Sequence, residues 1–179
     1  MTLLHYFYEQ YKNKKNKIAF REKDLGIWKE YKWGDYFERV TKVAIYFNNL
    51  GIQKGDTIAI IGDNKPEWVI AELAAQLLGA YPIGIYQDSI ANEVEYIINK
   101  AETKIVVAED QEQVDKIIDQ KEKFPQIVKV IYYDDKGMYQ YNDSLLIFFE
   151  DIYDKIDNND LEDFFQKRLS LLSDNDVAV

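Results

Sequence analysis

The amino-acid sequence predicts an α/β chain: a doubly wound, largely parallel sheet with flanking helices, preceded by an N-terminal helix and a β-hairpin. Two observations carry this. Strand-length apolar runs alternate with amphipathic helical stretches, β-α-β-α-β-α-β, over about residues 56–133, the signature of a parallel sheet with crossover helices. The run Thr57–Ile61 is apolar almost throughout, as a strand covered on both faces must be.

The elements follow in order. Leu3, Leu4, Phe7, Tyr8 and Tyr11 recur at helical spacing, with Thr2 placed to cap the helix. Lys17–Lys23 and Ile27–Trp33 read as strands joined by Asp24-Leu25-Gly26, a hairpin with a glycine loop. Tyr36, Phe37, Val40, Val43, Ala44, Phe47 and Leu50 form an amphipathic helix that Gly51 ends. After Thr57–Ile61, Gly62-Asp63-Asn64 leads to a helix over 66–78. Pro66 sits in its first turn, where the missing N–H costs nothing. That helix is apolar on nearly every side, which predicts cover on more than one face, in part by segments outside this chain. Then come a strand at Tyr81–Tyr86, a helix capped by Ser89, a strand at Lys104–Ala108, a helix opened by Asp110, and a strand at Ile127–Tyr133 beyond Pro125. Ser144–Ile152 reads as strand then helix, and Leu161, Phe164, Phe165, Leu169 and Leu172 mark a last helix. Asp176–Val179 reads as the start of a further strand, and its abrupt end suggests truncation.

Composition excludes several classes of function. The 179 residues carry 22 basic and 32 acidic side chains, net −10, with 47% apolar residues and no cysteine. That rules out disulfides, thiolate metal sites and a thiol nucleophile. His5 is the single histidine, so a two-histidine zinc motif is impossible. The acidic balance argues against nucleic acid as a partner. The N-terminus lacks the charged start and apolar run of a signal peptide. The most apolar stretch, 69–86, is broken by Glu72, Gln76 and Pro82, so no transmembrane segment is expected. A cytoplasmic protein is the expectation, with room for peripheral membrane contact and for a homodimer. Twelve of the acids fall in 134–179 against four bases, which marks 134–175 as an acidic excursion from the core.

The recognisable site motifs fail one by one. No glycine pair has the G-x-G spacing of a dinucleotide loop. Gly79 and Gly84 have the spacing of a phosphate loop, but Ile85-Tyr86 follows where lysine and a hydroxyl are needed. The run Asp157–Glu162 is rich in oxygen ligands, yet Leu161 occupies a ligand position and the glycine of a calcium loop is missing, which leaves a helix N-cap cluster. Glu109-Asp110 follows a strand end, where receiver domains keep phospho-acceptor acids; the helix macrodipole also favours acids there. His5 reads as structural, and Lys12, Lys14, Lys15 and Lys17 as a solvated helix end. Asn142-Asp143-Ser144 fits a glycosylation pattern that nothing else supports. Trp68 has two readings, packing or a place at the sheet edge where such folds bind ligands.

The motifs taken together carry a resemblance. Tyr31-Lys32-Trp33-Gly34-Asp35-Tyr36, the stretch Gly55 to Trp68 (GDTIAIIGDNKPEW) and Leu78-Gly79-Ala80-Tyr81-Pro82-Ile83-Gly84 resemble, in order and spacing, the AMP-forming (adenylate-forming) acyl-CoA synthetases. Gly84–Ser89 and Val107–Lys116 look like the long-chain fatty-acid–CoA ligases within that superfamily. The resemblance runs from about Phe7 to Val179. It implies a fragment, residues 1–179, of the large N-terminal AMP-binding domain, with 176–179 starting the strand that leads into a Ser/Thr/Gly-rich phosphate loop beyond Val179. The full-length enzyme would use ATP, Mg2+ and CoA to turn a fatty acid into acyl-CoA through an acyl-adenylate. The resemblance places no catalytic, ATP-binding or metal residue in this chain, and none of those groups is expected bound to it. A standalone flavodoxin-like binding or signalling module is the alternative.

Overall fold

The computed structural model describes residues 1–178. The chain opens with α1 (Leu3–Lys14), whose first turn is closed by Thr2 and His5: the imidazole Nδ1 lies 3.2 Å from the Thr2 amide and 2.9 Å from its hydroxyl. The lone histidine is thus a helix-capping residue. The strands β1 (Ile18–Asp24) and β2 (Ile27–Lys32) pair antiparallel. Their two-residue turn has Leu25 at φ 46° and Gly26 at φ 83°, as a type I′ hairpin turn requires. Helix α2 (Trp33–Asn49) begins three residues earlier than the apolar spacing predicts, because the Asp35 carboxylate accepts from the Lys32 amide at 3.0 Å and caps the extra turn. Gly51, at φ 88°, ends it as expected.

The doubly wound part follows: β3 (Thr57–Ile61), α3 (Pro66–Leu77), β4 (Tyr81–Ile85), α4 (Ala91–Lys100), β5 (Ile105–Ala108), α5 (Gln111–Ile118) and β6 (Lys129–Tyr132). Ser89 is not the cap of α4. Ile90 holds that position, and the Glu93 carboxylate reaches back to its amide at 3.3 Å. Asp110 does cap α5, accepting from the Gln113 amide at 3.1 Å.

Residues 134–175 are not an excursion from the core. Leu146–Phe148 form β7, parallel to β6, and complete a sheet of order β4-β3-β5-β6-β7. The helices α6 (Asp151–Lys155) and α7 (Leu161–Leu169) place Phe149, Ile152, Phe165 and Leu169 in the core while Asp151, Asp154, Asp157 and Asp163 face water. The acids are the solvent side of an amphipathic segment, so charge alone misreads it. At the other predicted strand, Asp176 lies in a turn, accepting from the Ser173 amide at 2.9 Å, and residues 176–178 form no ladder with the sheet. Val179 lies outside the described residues.

Strand alternation divides the core into two layers. Ile58, Ile60, Ile105, Val107 and Ile131 face α1, α2, α3, α6 and α7. Ala59, Ile61, Val106, Ala108 and Val130 face α4 and α5. Each residue step along a strand reverses the side chain, so a continuous apolar run fills both layers. The all-round apolar α3 is buried by this chain itself: Ile70, Ala71, Leu73, Ala74, Ala75 and Leu77 are all inside, with Val69 partly exposed. Outside segments are not needed to explain its composition. On the α1 side, Tyr11 stacks on Phe37 at 3.8 Å and Tyr8 on Phe165 at 5.5 Å. Glu162 accepts from the Tyr8 hydroxyl at 2.6 Å and from Lys12 at 2.9 Å, tying α7 to α1.

Candidate functional site

Numbered along the five-stranded sheet, the order is 2-1-3-4-5, with the reversal between β3 and β5. In open parallel sheets the crevice beyond the carboxyl ends at this switch point is where ligands bind. Here that edge is built from the loop after β3 (Gly62, Asp63, Asn64, Lys65), from Glu109 and Asp110 after β5, and from Tyr133 and Asp134 after β6.

The edge is held together by a small set of bonds. The Glu109 amide extends the ladder by donating to the Ile61 carbonyl at 2.9 Å. The Glu109 side chain then folds over and accepts from the Asp63 amide at 2.5 Å. The Asp134 amide donates to the Glu109 carbonyl at 2.7 Å, and the Tyr133 hydroxyl reaches the Asp63 carbonyl at 3.5 Å. Gly62 turns beneath these groups at φ 149°. A β-carbon there would stand 2.5 Å from the Glu109 β-carbon and 2.8 Å from its carboxylate, and would also strike the Tyr133 hydroxyl. Only glycine fits.

Electrostatics at this edge are acidic. Burial, then the neighbouring Asp63 and Asp110 charges, push the Glu109 carboxyl above the usual range, while the Asp63 amide bond pulls it back. Burial first, and then Glu109, Glu67, Asp63 and Asp110, push the Tyr133 phenol far up, so it stays protonated. Two cations lie close by: Lys65 pairs with Glu22 at 3.3 Å and Lys136 with Asp134 at 3.1 Å.

Nucleotide phosphate does not fit this arrangement: Asp63, Glu109, Asp110 and Asp134 would repel it, and the loop amide of Asp63 already has an acceptor. Among the described residues no cluster of three or more His, Cys, Asp or Glu side chains forms a closed metal site. The Glu109-Asp110 pair is committed otherwise, Glu109 to the β3 loop and Asp110 to the cap of α5. These acids therefore form a latch between strand ends.

Beside the latch lies an open cleft of about 440 Å³ lined by Gly62, Asp63, Asn64, Trp68, Gly84 and Tyr86 among others. The structure bears out the packing reading of Trp68 and places it at the sheet edge. Its ring packs on β4, where a β-carbon on Gly84 would come within 3.0 Å of Cζ2, and it also walls this cleft. A larger recess of about 540 Å³ between α1, α2 and α7 mixes Lys15, Asp35, Glu38 and Asp163 without a convergent set of donors.

The other sequence candidates scatter. Asp160 precedes α7 in a left-handed conformation and its side chain makes no capping bond; Glu162 is used by Tyr8 and Lys12 instead. Lys14 donates to Gln10 at the exposed end of α1. The residues that sequence reasoning missed are Tyr133 and the role of Gly62. Gly62 had a signal, a glycine directly after a core strand; Tyr133 had none.

Comparison with known proteins bears on the family and the fold. The family model described as AMP-binding enzyme matches residues 7–162. The long-chain-fatty-acid–CoA ligase ACSBG2 of Xenopus laevis is 28% identical over 134 residues, 74% of this chain and 18% of its own. The long-chain-fatty-acid–CoA ligase heimdall of Drosophila melanogaster is 31% identical over 104 residues, 58% of this chain and 15% of its own. The chain thus spans less than a fifth of these curated relatives. Among solved structures, the anthranilate CoA ligase AuaEII in complex with anthranoyl-AMP superposes with a TM-score of 0.73 at 18% identity, over 85% of this chain and 27% of that one. At that identity the superposition speaks for the fold: the five-stranded parallel sheet and hairpin are those of the N-terminal domain of adenylate-forming enzymes. With the family match covering most of its length, the chain belongs to the AMP-binding, adenylate-forming enzymes.

Proposed function

We propose that this chain is the N-terminal part of a long-chain fatty-acid–CoA ligase. In the whole protein, fatty acid, ATP and CoA would give acyl-CoA, AMP and pyrophosphate, with Mg2+ assisting at the phosphates. The observation that carries the reading is the 28–31% identity to long-chain ligases over 104–134 residues of this one segment. Within that enzyme the chain acts as scaffold. Its sheet edge offers a latch of acids and a tyrosine, with no phosphate cradle and no nucleophile, so catalytic groups would come from elsewhere in the protein.

The test is acid-dependent ATP–pyrophosphate exchange, measured on the purified 179-residue chain and on the product of the complete gene. The reading expects no exchange from the chain alone and exchange dependent on palmitate from the complete product. Exchange by the chain alone would overturn the scaffold role. Exchange only with short or aromatic acids would overturn the long-chain assignment.

A further inference from the structure

We propose that the β1–β2 hairpin is a detachable strap over the carboxyl edge of the sheet, and that its docking holds the loop after β3 in place. The hairpin pairs with no other strand, and none of its β1 or β2 residues is buried. A two-stranded ribbon of this kind is marginal in water unless it packs on something else. Its base is fixed. The Trp33 amide donates to the Lys17 carbonyl at 3.0 Å, the Gly34 amide donates to the Lys15 carbonyl at 2.9 Å, and Phe20 meets the Tyr36 ring edge-on at 5.0 Å. Motion is therefore left to the part beyond that base.

Two contacts hold that part down, and both lead to strand ends. Glu22 of β1 accepts from Lys65 of the loop after β3 at 3.3 Å. On β2, the Tyr31 ring lies 5.4 Å from the Arg39 guanidinium. Arg39 also lies 4.7 Å from the Tyr153 ring and pairs with Glu150, just after β7, at 3.1 Å. A partly exposed ion pair and a cation over an aromatic ring are both weak ties. The charge balance weakens them further, because Glu22, Glu67 and Glu150 gather around two cations, Arg39 and Lys65. Burial pushes the Glu67 carboxyl up, and the Glu22 and Glu150 charges add to this. A clasp with one acid too many opens readily.

The loop held by this clasp walls the crevice. Gly62, Asp63 and Asn64 line the cleft of about 440 Å³ beside Trp68. Lys65 closes the same turn, its amide donating to the Asp63 carbonyl at 2.8 Å. Docking of the hairpin therefore steadies one wall of the cleft at the switch point, and by linkage the order of that wall favours docking. The coupling belongs to this chain and is independent of the ligase reading.

The experiment is amide hydrogen exchange followed by NMR on the 179-residue chain, comparing the wild type with Glu22→Gln, Lys65→Gln and the double variant. In the wild type the hairpin amides, residues 18–32, should exchange faster than those of β3 and β5, since undocking leaves an unsupported ribbon. Glu22→Gln lies in the hairpin, yet it should speed exchange of the Asp63 and Lys65 amides about threefold or more. Lys65→Gln lies in the loop, yet it should do the same for the hairpin. The double variant should add little to either single change, because both break one tie. Unchanged exchange in β3 and β5 confirms that the variants fold. The proposal is overturned if each substitution affects only its own segment, or if the two effects multiply in the double variant. It is also overturned if the wild-type hairpin exchanges no faster than the core strands. Because the samples contain no ATP, acid or CoA, failure here leaves the ligase reading standing, and failure of the pyrophosphate-exchange assay leaves this coupling standing.

Discussion

Gly62→Ala is the most informative single change at the sheet edge. Gly62 sits at φ 149°, a region that residues with a β-carbon rarely occupy, and forcing one there costs about 1–3 kcal/mol. The added methyl would meet the Glu109 β-carbon at 2.5 Å and its carboxylate at 2.8 Å, together with the Tyr133 hydroxyl. Both side chains are held by bonds to the Asp63 backbone, so neither moves freely, and overpacking adds about 1–3 kcal/mol. The sum, about 2–6 kcal/mol, is a large part of the total of about 5–15 kcal/mol typical of a domain. Urea unfolding followed by circular dichroism measures it. Repeating the substitution in a Tyr133→Phe background removes one colliding atom, and the loss should shrink by about 1 kcal/mol. A loss below about 1 kcal/mol in the wild-type background, or identical losses in both, would refute the close-packed latch.

Other expectations follow from the same residues. Glu109→Gln keeps an oxygen for the Asp63 amide and removes a charge that burial and neighbouring acids disfavour, so it should be neutral to stabilising at pH 7. Because folded Glu109 takes up its proton at higher pH than the unfolded chain does, wild-type stability relative to the variant should rise as pH falls through that raised value; a flat difference would contradict this. Burial first, then Glu22, push the Tyr31 phenol up to about 12. Its contribution to stability is present below about pH 10 and is lost as pH rises toward 12. Ultraviolet titration should show a late phenol step that disappears in Tyr31→Phe. Leu25→Asn relieves the left-handed strain at the hairpin turn and should raise stability by about 1 kcal/mol, read as a higher melting temperature. Gly84→Val pushes Trp68 off β4, and should cost about 1–3 kcal/mol and alter tryptophan fluorescence.

Local chemistry made much of the fold legible. Thr57–Ile61 has the predicted bounds because a run that is β-branched at every position but Ala59, set between Gly55 and Gly62, has few other uses. Pro66 starts α3, and Gly51 and Gly79 end their helices at positive φ. What stayed hidden depends on distant or long side chains. Asp35 and Glu93 lengthen or shift helix starts by reaching back three residues, which apolar periodicity does not register. The strand in Ser144–Ile152 was legible from its apolar run, but the acids around it concealed that it joins the sheet beside β6 and that Phe149 and Phe165 face inward. At the site, Gly62 and Glu109 are 47 positions apart and Tyr133 is 24 further on. Parallel pairing of β3, β5 and β6 brings them together, and no local pattern encodes that register.

The most direct test of the scaffold account is calorimetric titration of Mg·ATP into the 179-residue chain, with hydrogen exchange followed at residues 62–65. The acidic latch and the absence of a phosphate cradle among the described residues predict no saturable heat and unchanged protection of that loop. Saturable micromolar binding, with new protection of Gly62 to Lys65, would contradict it.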